Sequence, residues 1–328
     1  MRAPLFLSVV LSTFLLFACG GGDGENAGVS TTGIISIGMS DSPVNDVSKV
    51  NIVVDSIILS REGEDDIVVD TFTSKELDLV DADTFELDLL EVQGNDNRIV
   101  LDSIEVPAGT YQNLRLGIID GDINTSFVVD VDGTKPIKQP SSELKLGGFT
   151  VEAGGVQTFI IEFDLRKSMT YNPGPDRYIL KPRGVRIVDL AKASSIDGSV
   201  DSMLFNSTPP CDGKIDPLLG NVMYLYSGHA LNPTLLADVY DIDVTQNTAV
   251  PLGALEPYSA ATVAADGSFV FSYVEPGDYT LAFSCAAEQD DPEQYEALVI
   301  PSPETEIVEF SLQADQSLTC VFPDLTCQ

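Results

Sequence analysis

Short apolar runs separated by turn residues dominate this sequence and leave few folds open to it. The runs are rich in Val, Ile and Thr, and many alternate with polar residues as strands do. Stretches such as Asp132–Gly133 and Pro107–Gly109 mark the turns between them. No window of 12 residues carries the periodic apolar stripe of a helix. The pattern predicts an all-β chain made of Ig-like or prealbumin-like β-sandwiches.

The runs fall into two groups, and the small polar stretch Ala191–Ile196 separates them. The first group predicts a module over residues 33–190, with one helical turn over Thr84–Leu90. Its expected strands are Ile34–Met39, Val50–Ser60, Ile67–Phe72, Glu76–Val80, Phe85–Leu89, Ile99–Val106, Tyr111–Ile119, Ser126–Val131, Phe149–Val151, Thr158–Leu165 and Tyr178–Leu190.

The second group predicts a module over residues 196–315, followed by a disulfide-bearing tail over 316–328. Its expected strands are Gly198–Asn206, Val222–Ser227, Ala237–Val244, Ser259–Ala264, Ser268–Val274, Asp278–Cys285, Tyr295–Ile300 and Thr305–Leu312.

Charge is distributed very unevenly between the two predicted modules. The chain has a formal net charge of −34. Residues 196–328 contain 21 Asp or Glu and one basic residue, Lys214, whereas residues 33–195 contain 28 acidic and 15 basic residues. So negative a chain repels DNA and RNA, which excludes nucleic acid as an expected partner. With 44% hydrophobic residues it is not a disordered acidic tail either.

The N-terminus carries an export signal. Arg2 is followed by the apolar run Leu5–Phe17, which is shorter than the roughly 20 residues that a membrane-spanning helix needs. The next block, Leu16–Cys19, resembles the lipobox of bacterial lipoproteins. The resemblance implies removal of residues 1–18, acylation (palmitate) of Cys19 and anchoring in a bilayer. Residues 19–32 then form a Gly-rich tether, and Gly20 favours the outer membrane, with its periplasmic or outer face left open.

Four further cysteines lie in the last third of the chain: Cys211, Cys285, Cys320 and Cys327. An even number of cysteines in an exported chain predicts two disulfides, for which three pairings exist. The short gap between Cys320 and Cys327 favours a local loop, which leaves Cys211 to pair with Cys285. No CxxC or His–Cys spacing supports a metal site instead.

The first module resembles the family of domain of unknown function 4382. The blocks that carry the resemblance are, in order, Gly33–Ile37, Ser40–Pro43 with Val47, Leu87–Leu90, Val106–Tyr111, Leu114–Leu116, Ser141–Leu146, Phe163–Ser168 and Tyr178–Arg183. The resemblance covers about residues 33–190. It implies an exported β-sandwich domain of the kind found on lipoproteins and implies no activity.

The second module is similar to prealbumin-like domains of the carboxypeptidase-regulatory type. Ala265–Phe271 and Val274–Leu281 carry this similarity. Gly267 suits a turn that needs a positive φ, and Phe269 and Phe271 are expected to point inward. Relatives serve as spacers, binding modules or adhesin stalks, so the resemblance implies a fold and no single function.

The sequence offers little for catalysis. His229 is the only histidine, and no GxSxG elbow accompanies it. The phosphate-binding motifs GxxxxGK[ST] and GxGxxG on a βα turn are missing. Paired carboxylates could hydrolyse glycosides, but the chain has no Trp to line a sugar cleft. We therefore expect a chain that is not an enzyme.

Calcium is the one cofactor that the acidic composition suggests. Weak candidate ligands are Asp290, Asp291, Asp241 and Asp243, although none stands in an EF-hand spacing and solvated loops explain them better. We expect an anchored, non-catalytic surface module for binding, adhesion or structural support. Its partners are the bilayer, through Cys19, and an extracellular polymer or protein. The alternative is an extracellular glycan hydrolase that uses paired carboxylates.

Overall fold

A computed structural model describes residues 31–42, 47–141, 143–206, 209, 211–242 and 250–328. The signal peptide, Cys19 and Asp243 lie outside these residues. The structure contains two β-sandwich modules joined by a short connection after Asp189. None of the helices in the described part is long and apolar enough to cross a membrane.

In the described part of the first module there are seventeen strands and one short α-helix. The helix is α1 (Leu165–Ser168), and a 3-10 helix covers Leu89–Val92. The strands are β1 (Thr32–Asp41), β2 (Val47–Ser60), β3 (Ile67–Val69), β4 (Phe72–Ser74), β5 (Leu79–Ala82), β6 (Phe85–Asp88), β7 (Arg98–Pro107), β8 (Gly109–Tyr111), β9 (Asn113–Ile118), β10 (Phe127–Asp130), β11 (Gly133–Lys138), β12 (Leu144–Lys145), β13 (Phe149–Val151), β14 (Val156–Phe163), β15 (Met169–Asn172), β16 (Arg177–Leu180) and β17 (Val185–Asp189).

Two main sheets enclose the core of this module. One has the order β17-β14-β1-β7, and the other has the order β12-β9-β2-β10-β11-β16-β15 with β3 and β6 also paired to β2. Alternate residues of β1, namely Ile35, Ile37 and Met39, are fully buried in that core. The residues that alternate with them lie on the opposite face of β1, where Ile34 is exposed and Ser40 binds the carbonyl oxygens of Val92 and Asp96.

The residues described in the second module form eight strands. They are β18 (Ser194–Val200), β19 (Val222–Ser227), β20 (Ser259–Thr262), β21 (Ser268–Val274), β22 (Gly277–Ser284), β23 (Ile307–Leu312), β24 (Ser317–Phe322) and β25 (Thr326–Cys327). Two more 3-10 helices cover Ser202–Phe205 and Pro233–Leu235.

These strands make two four-stranded sheets, β21-β18-β24-β25 and β20-β19-β22-β23, with one core between them. Phe269 and Phe271 are buried in that core, as the alternation of β21 predicts. Gly267 has φ of 89°, so the turn before β21 uses the left-handed conformation that glycine adopts without strain.

Of the expected strands Glu76–Val80 and Gly198–Asn206 only residues 79–80 and 198–200 are extended, and two further expected strands are absent from the described residues. Residues 237–242 of the run Ala237–Val244, and the whole of Tyr295–Ile300, are irregular. Both segments cover the outer face of the β20-β19-β22-β23 sheet, where Val239 and Ile300 are buried against Tyr224. Their apolar residues therefore reflect burial in covering loops, which mimics the pattern of a strand.

Two other regions differ from expectation. The expected strand Thr158–Leu165 ends at Phe163, and Leu165 begins α1, because Asp164 caps that turn by accepting from the backbone N–H of Lys167. The expected tail of 316–328 is part of the second sandwich. Its strand β24 pairs in parallel with β18, and β25 then folds back on β24.

Both disulfides lie in the second module. Cys211 is bonded to Cys285 and Cys320 to Cys327, the pairing that the spacing favours. The first bond closes a loop of 74 residues and the second a loop of 7.

The two disulfides should stabilise the chain unequally. Loop-closure entropy gives about 4 kcal/mol for the long loop and about 2 kcal/mol for the short one. Urea denaturation of the Cys211→Ala/Cys285→Ala and Cys320→Ala/Cys327→Ala double variants should therefore show the larger loss of unfolding free energy for the first pair. An equal loss, or a larger loss for the second pair, would contradict this ranking.

Candidate functional site at the junction of the two modules

Charged side chains of opposite sign meet where the two modules are in contact. The first module contributes Arg166, Lys167, Lys181, Arg183 and Arg186, all from the segment between α1 and β17. The second module contributes Asp241, Glu256, Asp290 and Glu293 from its loops. We call these nine residues the junction cluster. Its two halves are complementary in charge.

Asp290 is the most deeply buried member of the junction cluster. Its side chain is 0% exposed, and its Oδ2 lies 2.6 Å from Nη2 of Arg166. The hydroxyl of Tyr224 donates to the same oxygen at 2.5 Å. Burial raises the pKa of Asp290, while the Arg166 guanidinium opposes that rise. A buried carboxylate of one module thus depends on a cation of the other.

Glu256 and Asp241 bind three further cations. The Oε1 of Glu256 is 3.0 Å from Nζ of Lys167 and 2.5 Å from Nη2 of Arg183. Asp241, whose side chain is almost fully buried, forms an ion pair with Lys181. These contacts extend the junction cluster along one side of the first module.

Backbone and hydroxyl groups complete the contact. The Oε1 of Glu293 accepts from the backbone N–H of Tyr171 in β15 at 2.6 Å. Ser259 of β20 donates through its Oγ to Oδ2 of Asp164 at 3.0 Å. Because Asp164 also caps α1, the turn that presents Arg166 and Lys167 is itself held by the second module.

Glu162 is a buried acid beside the junction cluster. Its side chain is 0% exposed, its Oε1 accepts from Oγ of Ser42 at 2.8 Å, and Arg186 approaches only to 4.0 Å. Its Oε2 has no hydrogen-bond partner among the residues that the structure describes. Burial raises the pKa of Glu162 to about 7, and Arg186 lowers it in part. The guanidinium of Arg186 in turn lies over the ring of Tyr258 from the second module, 4.6 Å from its centre.

Apolar packing supports the polar contacts. Tyr273 of β21 packs with Ile160 and Val188 on the outer face of the first module's smaller sheet. Its φ is 50°, a conformation that costs about 1–3 kcal/mol for a bulky residue. The hydroxyl of Tyr273 is fixed by Asn95 and Asn97, so contacts with the first module hold it in this conformation.

The calcium candidates occupy different surroundings. Asp290 and Asp241 form ion pairs with the first module, whereas Asp291 accepts from the backbone N–H of Glu293 and from Nε2 of Gln294. Within the described ranges, no three His, Cys, Asp or Glu residues are grouped to hold a metal ion.

His229 and a paired-carboxylate cleft are the remaining candidates for chemistry. His229 Nε2 lies 2.8 Å from the carbonyl oxygen of Phe310, in the loop after β19. Asp66 and Glu143 share a cleft of about 410 Å³, but both carboxylates bind Arg115 and no aromatic side chain lines that cleft. The aromatic platform expected for a glycan hydrolase does not accompany this pair.

Sequence reasoning did not identify the junction cluster. The cations are up to 124 residues away from the acids that they bind, so no local motif joins them. The one feature of the sequence that pointed to such a cluster is the charge imbalance between the modules. An acidic module with a single lysine can bury its carboxylates only if cations come from elsewhere.

Comparisons with known proteins describe the first module. Residues 32–182 match the family model described as Domain of unknown function (DUF4382). The match includes Glu162, Arg166 and Lys181 and ends before Arg183 and Arg186. A search of curated proteins found no match.

Similar solved structures include three bacterial proteins. The Bacillus anthracis TIE protein is 11% identical with a TM-score of 0.20, covering 88% of this chain and 33% of that protein. A leucine-rich repeat protein from Bacteroides thetaiotaomicron is 11% identical with a TM-score of 0.16, covering 88% and 26%. The minor pilin of Streptococcus agalactiae is 10% identical with a TM-score of 0.20, covering 88% and 94%. The chain thus spans a third or less of the first two proteins.

The buried Glu162 predicts a specific pH dependence of stability. Its pKa is about 7 in the folded chain against an ordinary value of 4.5, so the folded chain binds the proton more tightly. This contribution is fully present below about pH 4.5 and is lost as the pH rises through about 7. Between pH 5 and 8, wild type should lose on the order of 1–3 kcal/mol more unfolding free energy than Glu162→Gln.

Urea denaturation at constant ionic strength measures this difference. Glu86→Gln, at an exposed position of β6, is the matched control, and its unfolding free energy should change with pH as that of wild type does. If the unfolding free energy of Glu162→Gln changed with pH as much as that of wild type, Glu162 would not titrate in this range.

Proposed function

We propose that this chain is an exported, non-catalytic lipoprotein whose two sandwiches form one rigid unit for binding or support at the cell surface. Acylated Cys19 would anchor it in the outer membrane, and the tether of residues 19–32 would connect the anchor to β1. The main support for this proposal is the junction cluster. Its ionisable side chains form ion pairs that hold the two modules together.

The position of the tether supports presentation away from a membrane. The tether enters β1 at Thr32. At the other end of β1, Ser40 donates to the carbonyl oxygen of Asp96, between Asn95 and Asn97, which both bind Tyr273 of the second module. Thr32 and Ser40 are eight residues apart in one strand, which at about 3.3 Å per residue is ~26 Å. The second module therefore contacts the end of β1 that is remote from the tether.

The buried ion pairs support rigidity. Asp290 and Asp241 are nearly or fully removed from solvent, and each has its cation on the other module. Removing the cation of either pair while the modules stay docked would leave a buried carboxylate unpaired, which costs about 3–5 kcal/mol. The linker between the end of β17 at Asp189 and the start of β18 at Ser194 is short, so it leaves the modules little freedom for independent movement.

Cys19→Ser tests the anchoring directly. Wild type should take up radiolabelled palmitate and sediment with outer membranes on a sucrose gradient, whereas Cys19→Ser should lose the label and appear in the soluble fraction. Cys320→Ala/Cys327→Ala, which also lacks cysteines, should remain labelled and membrane-bound. Membrane sedimentation of Cys19→Ser at the wild-type level would refute the anchor.

A further inference from the structure

A cleft of about 320 Å³ lies on the seam between the modules, beside the linker. The first module lines it with Asn95 and Asn97, and the second with Tyr273 and the turn that holds Asp315 and Gln316. We call it the seam cleft. Ligand sites occur preferentially at such boundaries between domains, because two surfaces there converge on one space.

Tyr273 fixes the first-module wall of the seam cleft. Its hydroxyl donates to the backbone carbonyl of Asn95 at 2.8 Å and accepts from Nδ2 of Asn97 at 2.9 Å. Ser272 donates to Oδ1 of Asn95 at 2.8 Å. Both carboxamides are thus held in place before any ligand arrives, which lowers the entropic cost of binding.

Several polar groups of this wall and the opposite one form no hydrogen bond with any residue that the structure describes. Asn95 uses its Oδ1 and Asn97 its Nδ2, so Nδ2 of Asn95 and Oδ1 of Asn97 are left over. Gln316 accepts through Oε1 from the backbone N–H of Gln313, so Nε2 of Gln316 is available to donate to a ligand. The carboxylate of Asp315 forms no hydrogen bond or ion pair among the described residues. The four side chains that carry these two amide donors and two acceptors all line the seam cleft.

The lining selects the chemistry of a ligand by exclusion. It contains no Lys or Arg, and the Asp315 carboxylate repels anions. A single carboxylate is too few for a stable divalent cation site. Polar and apolar groups share the lining of the cleft about equally, and Leu190 and Ala193 supply part of the apolar surface. Hydroxyl groups on a compact carbon ring match this combination of donors, acceptors and apolar surface.

We propose that the seam cleft binds a neutral saccharide, through the free carboxamide groups of Asn95, Asn97 and Gln316 and the carboxylate of Asp315. The site requires only the folded, docked modules and is independent of acylation at Cys19. Loss of membrane anchoring in Cys19→Ser would therefore leave binding intact, and absence of binding would leave the anchoring proposal untouched.

Saturation-transfer NMR and calorimetric titration of the full chain in detergent test the site, with maltose, cellobiose and lactose as probes. At least one disaccharide should bind with Kd of about 1 mM, as expected for a few neutral hydrogen bonds. Inorganic phosphate should not compete. Failure of all three probes to bind at about 50 mM would overturn the proposal, as would displacement by phosphate.

Asn95→Ala/Gln316→Ala should weaken binding at least tenfold while circular dichroism shows an unchanged fold. If the double variant does not fold, Gln316→Ala alone, which changes only a side chain in a turn, is used for the binding test instead. Asn113→Ala, which removes a carboxamide from the separate cleft around Arg115, should bind like wild type. Equal loss in Asn113→Ala, or full binding in both Gln316 variants, would show that the saccharide binds elsewhere.

Discussion

The ion pair between Arg166 and Asp290 is the contact on which the arrangement of the two modules depends. Asp290 is fully buried, and a buried carboxylate is strongly unfavourable unless a cation and hydrogen bonds compensate its lost hydration. Tyr224 of its own module supplies a hydrogen bond, but the cation comes from the first module. The second module therefore reaches its folded charge state only against the first.

The rest of the junction follows from this dependence. Arg166 stands on a helical turn capped by Asp164, and Ser259 of the second module binds that same carboxylate. Lys181 and Arg183 add pairs on one side, and Tyr273 adds apolar contact on the other. Because Tyr273 also orders Asn95 and Asn97, the docked junction shapes the seam cleft. Docking, rigidity and the proposed ligand site thus share one physical origin.

Local patterns predicted what local physics determines. Alternation gave β19 and β21 at their observed bounds, and cysteine spacing favoured the observed disulfides. Alternation failed at Tyr295–Ile300, because a covering loop buries every second side chain without pairing as a strand. It also missed β24, whose parallel partner β18 lies more than 100 residues earlier. The charge imbalance was visible in the sequence, but its partners in space were not, since ion pairing between modules leaves no local spacing to read.

The central claim is that the two modules form one cooperative unit held by buried charge pairs. Differential scanning calorimetry of the full chain tests it most directly, because it compares the total heat of unfolding with the heat per cooperative unit. If the two modules unfold together, the scan shows one transition with equal calorimetric and van't Hoff enthalpies. Two transitions at separate temperatures, or a calorimetric enthalpy near twice the van't Hoff value, would show that the modules unfold independently and would contradict it.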